Sequence, residues 1–194
     1  AAIAMTMVML TGGIDLSVGS VIAFSGAAGA LVMQEMGQTA PFPAGVAGFA
    51  VTIGAAVAFG MLNGISIGYL KMAPFIVTLA TMSLARGLTL TLTASSRVMI
   101  HNSWYNFAGQ AELPGGIPAS TILVAAAYVA AFLLLHHMTF GRRTYAVGDN
   151  ADAAKASGIR VERHILLVYV VAGVFVGLAT IVIAGRARSA QPMA

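Results

Sequence analysis

Charged residues are scarce in this sequence of 194 residues. Lys and Arg total 10 and Asp and Glu total 6, together 8% of the chain, whereas a soluble domain carries about 25%. So few charges cannot cover a surface that is exposed to water. Together with a hydrophobic content of 59% and a mean hydropathy of +0.90, this scarcity predicts an integral membrane protein.

Cysteine is absent altogether, which excludes disulfide bonds, thiol chemistry and cysteine-based metal sites. There is also no H-E-x-x-H motif and no phosphate-binding loop with its lysine. Gly64–Gly68 matches the G-x-S-x-G string of hydrolases, but it lies in an apolar helical pattern without the partners that this motif needs. His136 and His137 are adjacent, so on a helix they point about 100° apart and cannot chelate a metal as a pair. We therefore predict no enzyme, no metal site and no cofactor in this chain.

Long apolar stretches are what the sequence has instead, and stretches of about 20 residues span a bilayer as helices. We predict an all-α fold, a polytopic transmembrane helix bundle with five full spans and one partial span. The partial span is Ala1–Leu10, and the full spans are Leu16–Met33, Ala44–Leu70, Pro74–Thr93, Ile117–Met138 and His164–Gly185. Residues 1–194 are predicted to form one transmembrane domain. We expect it to be incomplete at the N-terminal end, because the sequence begins without Met inside an apolar run.

Two polar connections, Gln34–Pro43 and Ala94–Gly116, separate these spans. The second contains Trp104 and Tyr105, aromatic residues that suit the membrane interface. We therefore expect both side chains at the boundary of the bilayer.

The cations concentrate in Thr139–Arg163, a hydrophilic segment that holds five of the ten Lys and Arg and lies between two apolar runs. Placing it in the cytoplasm gives six Lys or Arg inside, Lys71 among them, against three outside, as the positive-inside rule requires. Membrane topology thus explains the net charge of +4, and no nucleic-acid partner is predicted.

One short helix, Asn150–Ser157, is predicted inside this segment. Asn150 suits the N-cap, Asp152 lies in the first turn, Lys155 lies near the end, and Gly158 suits a left-handed residue after it. A structured hydrophilic segment between spans is a candidate docking surface for another protein. The alternative is a solvated loop that only joins two spans.

Polar residues interrupt the apolar runs. Asp15 follows two glycines in a break at Thr11–Ser20, where it either caps the next helix or belongs to a polar pathway. Arg86 is the only cation within a predicted span, on a hydroxyl-rich helix that either lines a pathway or bonds back to its own carbonyls. Asn63 could hydrogen-bond across helices. The candidate pathway residues are Asp15, Ser17, Asn63, Thr78, Thr81 and Arg86.

Small residues recur every four positions on two of the predicted spans. Gly60, Gly64 and Gly68 form one stripe, and Gly173 and Gly177 belong to another. Such stripes let helix backbones approach closely in a membrane, so we predict helix packing, within the chain or between copies. Lining of a substrate pathway is the alternative.

Three blocks of the sequence resemble the membrane subunits of bacterial ribose/sugar-type ABC importers. They are Thr11–Ser20, Pro74–Gly87, and the segment from Gly141 that ends at Ser189-Ala190-Gln191-Pro192. Each block is modest alone, but their order and spacing cover nearly the whole chain. The resemblance implies a multi-pass permease domain in the inner membrane of a bacterium, in which Thr139–Arg163 is a cytoplasmic coupling loop. It also implies that the domain in this chain is incomplete at the C-terminal end as well as at the N-terminal end.

The resemblance also implies partners and a mechanism. The partners would be a second permease subunit (identical or related), two cytoplasmic ATPases that bind ATP and Mg²⁺, and a periplasmic sugar-binding protein. A monosaccharide such as ribose or xylose would cross by alternating access. A secondary transporter is the alternative, although Asp15 is the one intramembrane acid that could serve ion coupling. The residues implied in ATPase docking are Gly141, Arg142, Gly148, Asn150, Asp152, Ala153, Ala154, Lys155, Ser157 and Gly158.

Overall fold

Nine helices make up most of the computed structural model, which describes residues 1–37, 41–113 and 116–191. Parts of both predicted connections, and Pro192 of the third resemblance block, lie outside these residues. The helices are α1 (Ala2–Met9), α2 (Val18–Glu35), α3 (Pro41–Gly68), α4 (Pro74–Thr93), α5 (Ser103–Gln110), α6 (Ala119–His136), α7 (Thr139–Asp149), α8 (Ala151–Ala156) and α9 (Val161–Ala187).

Five of these helices, α2, α3, α4, α6 and α9, are long and apolar enough to cross a membrane, which confirms the five predicted spans. The bounds of α4 are those predicted. Pro74 opens this helix at its first turn, where a missing N–H is tolerated, and Ala94 ends it in a left-handed conformation with φ of 47°. The helix α1 is the partial span, and it has eight residues.

Among the described residues, α3 and α9 form the most extensive helix–helix contact. The glycines Gly60, Gly64 and Gly68 of α3 face the backbone of α9 at Tyr169, Leu166 and Glu162. A Cβ added at Gly64 would come within 2.9 Å of the Leu166 Cα. The two helices therefore approach closer than any larger side chain would allow.

Glycines of α9 also allow this close approach. A Cβ added at Gly173 would lie 2.9 Å from the Val57 Cα, and one at Gly177 would lie 2.8 Å from the Ile53 Cα. The structure thus places all five predicted packing glycines in one contact within the chain.

The connection after α4 is more ordered than predicted, because α5 lies in it. Tyr105 is 0% exposed and stacks on Phe49 with ring centroids 4.9 Å apart. Tyr105 is therefore packed inside the protein, whereas Trp104 is 52% exposed. Long-range contacts with α3 and α9 create this burial, and a local pattern does not reveal them.

Four two-residue strands accompany these helices in the part of the chain that the structure describes. Strand β1 (Val98–Met99) pairs antiparallel with β4 (Ser189–Ala190), and β2 (Glu112–Leu113) pairs antiparallel with β3 (Ile117–Pro118). The first pair joins the connection after α4 to the end of α9. It fixes α5 against the same end of the bundle.

The segment Thr139–Arg163 contains two helices, α7 and α8, and not the single helix predicted. On α7, Gly141, Thr144 and Val147 are buried, while Arg142 and Arg143 are exposed. Buried residues at spacings of three give the helix one face against the bundle and a cationic face outward. We call α7 and α8 together the docking unit.

Candidate functional site

The chain is not helical between α1 and α2, over residues 10–17, and we call this segment the break. Gly12 has a φ of +76° there, a conformation that favours glycine. The Ser17 backbone N–H and hydroxyl both donate to Asp15 Oδ1, at 2.8 and 2.6 Å. Ser17, not Asp15, occupies the N-cap position of α2. Asp15 therefore orders the break two residues ahead of the helix instead of capping it directly.

Asn63 connects the break to two helices. Its Nδ2 donates to Ser17 Oγ at 3.2 Å, and its Oδ1 accepts from Thr81 Oγ1 at 2.6 Å. Asn63 is 1% exposed, so both bonds lie in the interior, where an unsatisfied amide would be costly. One side chain of α3 thus joins the start of α2 to α4.

Thr78 lies against the break at a second point, because its Oγ1 is 3.2 Å from the Ile14 carbonyl, although the Pro74 carbonyl of its own helix is a closer acceptor at 2.9 Å. Asp15, Ser17, Asn63, Thr78 and Thr81 therefore lie together, and we call them the polar cluster. They are five of the six predicted pathway residues.

Arg86 is the pathway candidate that the cluster does not include. The buried side of α4 follows Thr78, Thr81, Ala85 and Thr89, with spacings of three and four. Arg86 lies about 100° around the helix from Ala85 and is exposed. The hydroxyls also differ in use, since Thr89 donates to the Ala85 carbonyl of its own helix, whereas Thr81 bonds across to α3.

A small cavity adjoins the polar cluster. Asp15, Ser17 and Asn63 line it together with Tyr169 of α9, and its volume is about 10 Å³, counted as space open to the centre of a water molecule. Sites for small-molecule ligands are usually about 300–1,000 Å³. The cluster is therefore closed to a monosaccharide in this arrangement. Tyr169 was missed from the sequence, where it is simply an aromatic residue in an apolar span.

A larger cavity of about 470 Å³ lies at the opposite end of the bundle, lined by Gln34, His101, Asn102 and Ser103 among others. Gln34 Nε2 donates to the Met99 carbonyl at 3.0 Å beside it. None of the predicted pathway residues is among its lining residues in the described part of the chain. This cavity and the polar cluster are thus separate features.

The helix α8 has the ends that the sequence predicts. Asn150 Oδ1 accepts from the Ala153 N–H at 2.9 Å, Asp152 lies in the first turn and Lys155 in the last, and Gly158 has a φ of +84°. Lys155 Nζ lies 3.7 Å from Glu162 Oε1 at the start of α9. Local capping and charge placement therefore define this helix.

The predicted docking residues divide into two groups. Gly141 is buried against the Leu135 backbone, and Ala154 is buried in a small cluster with Val147 and Val161. Gly141 thus packs α7 against α6, and Ala154 packs α8 against α7 and α9, so neither of these predicted docking residues is exposed for direct contact with a partner. The exposed members are Arg142, Gly148, Asn150, Asp152, Ala153, Lys155, Ser157 and Gly158.

Two further contacts of α7 reach the break and α9. Gly148 lies against the break, since an added Cβ would overlap the Leu10 carbonyl oxygen and come within 3.4 Å of the Thr11 Cα. Thr144 Oγ1 lies 2.9 Å from His164 Nε2 of α9. Both partners are distant in sequence, so neither contact was predicted. The docking unit therefore touches both the break and α9.

Comparisons with known proteins identify the class of this chain. A family model described as "Branched-chain amino acid transport system / permease component" matches residues 1–194. The chain belongs to this family of transporter permease components, and the resemblance to sugar-type import permeases is confirmed by its relatives.

One relative is the Ribose import permease protein RbsC of Bacillus subtilis (strain 168), 44% identical over 197 residues, which cover 100% of this chain and 58% of the relative. The protein of the same name from Escherichia coli (strain K12) is 36% identical and covers 100% of this chain and 59% of its own length. The Inner membrane ABC transporter permease protein YjfF of Escherichia coli (strain K12) is 37% identical, over 93% of this chain and 53% of the relative.

The chain thus spans a little over half the length of these relatives. No solved structure matches it. The names of these relatives describe permeases, and that of YjfF describes an inner-membrane protein, in agreement with the predicted class and localisation.

Proposed function

We propose that this chain forms part of the membrane subunit of an ABC importer that carries a monosaccharide, ribose or a similar sugar, across the inner membrane. The family supports a permease, and relatives named for ribose, D-allose and L-arabinose support a sugar as the substrate. The partners would be a second permease subunit, two ATPases that bind ATP and Mg²⁺, and a periplasmic sugar-binding protein.

The contact of the docking unit with the break is the observation that carries this proposal. The exposed residues of α8 offer a surface to a cytoplasmic ATPase, and Gly148 at the end of α7 lies on Leu10 at the start of the break. A displacement of α7 would therefore reach the segment that holds Asp15 and Ser17 directly, without passing through a flexible linker.

Alternating access would then depend on the polar cluster. Its cavity is closed here, and hydrogen bonds from Asn63 to Ser17 and from Thr81 to Asn63 hold α2, α3 and α4 together. Closure of the ATPase dimer on ATP would displace α8 and α7, shift the break and loosen these bonds. ATP shifts this equilibrium only because the ATPases bind it with different affinity in the two states.

The test is association of the full-length permease with its ATPase, in membranes, with Asp152→Lys as the variant. Asp152 is exposed in the first turn of α8, so the change alters surface charge without altering the core. Glu35→Lys is the matched control, because Glu35 ends α2 at the opposite end of the bundle. We expect Asp152→Lys to abolish co-purification of the ATPase and ATP-driven uptake, and Glu35→Lys to preserve both.

Equal co-purification in both variants would contradict docking through α8. The alternative function, a secondary transporter, is favoured by one observation, the acid Asp15 in a buried polar cluster. Sugar uptake that persists without ATP and collapses with an ionophore would establish that alternative and overturn the importer.

A further inference from the structure

The Tyr169 hydroxyl is a polar group that the interior leaves without a visible partner. Tyr169 is 1% exposed, and among the described residues its hydroxyl oxygen has no hydrogen-bond partner. This oxygen lies against Gly13 of the break, since a Cβ added at Gly13 would be 3.0 Å from it. A buried hydroxyl without a partner is strongly disfavoured, so the surroundings must supply one.

The small cavity beside the polar cluster is the place where such a partner fits. Tyr169 lines it together with Asp15, Ser17 and Asn63, and its volume is about 10 Å³. A cavity needs about 10–15 Å³, measured in this way, to hold one water molecule, and that molecule needs two to four polar partners. The cavity therefore has the size and the polar lining for a single water molecule.

Asp15 has the acceptor capacity that such a water molecule requires. Its Oδ1 already accepts from the backbone N–H and the hydroxyl of Ser17. A carboxylate has two oxygens and about four acceptor positions, so capacity remains. The amide of Asn63, in contrast, is occupied by Ser17 and Thr81.

We propose that this cavity is a binding site for one water molecule that bridges the Tyr169 hydroxyl to the Asp15 carboxylate. The bridging water connects α9 to the polar cluster, whose direct hydrogen bonds join the break, α3 and α4. His164, which contacts α7, lies on the same helix as Tyr169. The docking unit then reaches the cluster by two connections, through Gly148 to the break and through α9 to the bound water.

The test is whether Tyr169→Phe raises or lowers the melting temperature of the full-length protein in lipid nanodiscs. Tyr169→Phe removes the hydroxyl and keeps the ring, so a hydroxyl that is bonded to water predicts a lower melting temperature, by about 1–2 °C because the full-length protein is larger than this chain. A hydroxyl without a partner predicts the opposite, because its removal relieves a buried polar group. A raised or unchanged melting temperature would overturn the proposal.

Tyr105→Phe is the matched control, because the Tyr105 hydroxyl lies 3.3 Å from Thr52 Oγ1 in a direct bond. It should lower the melting temperature whether or not the water site exists. If it does not, the assay is too insensitive to a lost hydrogen bond and is repeated in denaturant until this control responds.

A double-mutant cycle with Asp15→Asn tests the other end of the bridge. We expect the two changes to be non-additive, since either one disrupts the same bridge. Additive effects would overturn the bridge to Asp15. Stability that rises with Na⁺ at constant ionic strength, and loses this dependence in Asp15→Asn, would also overturn it by identifying the occupant as a cation.

Discussion

The two ends of α9 each support a short helix, but they do so in different ways. At one end α5 is bound by backbone and aromatic contacts: Gly109 lies on Gly185, and Tyr105 stacks on Phe49. Gln110 adds two bonds, from its Nε2 to the Arg186 carbonyl at 3.1 Å and from Arg188 Nε to its Oε1 at 2.7 Å.

At the other end the docking unit is bound by fewer groups. They include the Thr144–His164 contact, the approach of Gly141 to Leu135 and of Gly148 to Leu10, a cluster of three apolar residues and the partly exposed Lys155–Glu162 pair. Regions with little buried apolar contact open at low free energy, and moving elements are drawn from such regions. The difference indicates that α5 is fixed to the bundle, whereas the docking unit is attached in a way that permits displacement.

The largest expected effect is at the fixed end. In Gly109→Val, the new side chain would overlap the backbone of Gly185 and Arg186. Backbone atoms, unlike a flexible side chain, cannot relieve the overlap by changing rotamer. We expect a loss of about 3 kcal/mol in the free energy of unfolding, measured by denaturant titration in detergent. Gly54→Val is the control, because its Cβ meets nothing within 4 Å. Equal losses in the two variants would remove the claim that α5 is rigidly held.

A smaller stability effect is expected for Gly148→Val at the movable end. The Cβ would overlap the Leu10 carbonyl, but α7 makes fewer contacts with the bundle than α5 does, so we expect a loss of about 1–2 kcal/mol. Transport should suffer more than stability, with ATP still hydrolysed and sugar uptake reduced at least tenfold. A stability loss equal to that of Gly109→Val would show that the two ends are equally rigid.

Alkaline pH should lower the stability of the protein through Tyr105 of α5, by less than the two glycine substitutions do. Burial raises the pKa of Tyr105 from 10.0 to about 12. The folded state therefore holds this proton where the unfolded state releases it, and stability falls as pH rises from 10 toward 12. Melting temperatures measured between pH 9 and 11 should decline more steeply for the wild type than for Tyr105→Phe. Parallel declines would contradict the assignment.

The smallest effect is expected for Lys155→Ala at the docking end. The side chains of Lys155 and Glu162 are 64% and 31% exposed, and pairs of this kind contribute about 0–1 kcal/mol. We expect a change of less than about 0.5 kcal/mol that disappears in high salt. A salt-independent loss above about 1 kcal/mol would mean that the docking unit is held more firmly than its contacts indicate.

The features that could be predicted from the sequence are those that depend on neighbouring residues. Hydropathy defines the spans, and the cap at Asn150 with Gly158 defines α8. The period of the glycines identifies a packing stripe, although it does not say that α3 and α9 are the pair in contact.

The features that could not be predicted depend on contacts between distant residues. Burial of Tyr105 requires Phe49 and the end of α9, and the direction of Arg86 depends on which side of α4 meets α2 and α3. The polar cluster is an intermediate case. Its residues stand out as polar groups in apolar runs, but only the fold shows that Asn63 bonds to both Ser17 and Thr81.

The pairing of Val98 with Ala190 also constrains the order in which the chain folds. The helix α5 precedes α9 in synthesis, yet its contacts at Gly109 and Gln110 are with the end of α9. Such non-local contacts form late, because the intervening loop must close first. The C-terminal end of α5 therefore gains its contacts only after the last described span has crossed the bilayer, and protease protection around Gly109 and Gln110 should appear only in chains that include α9.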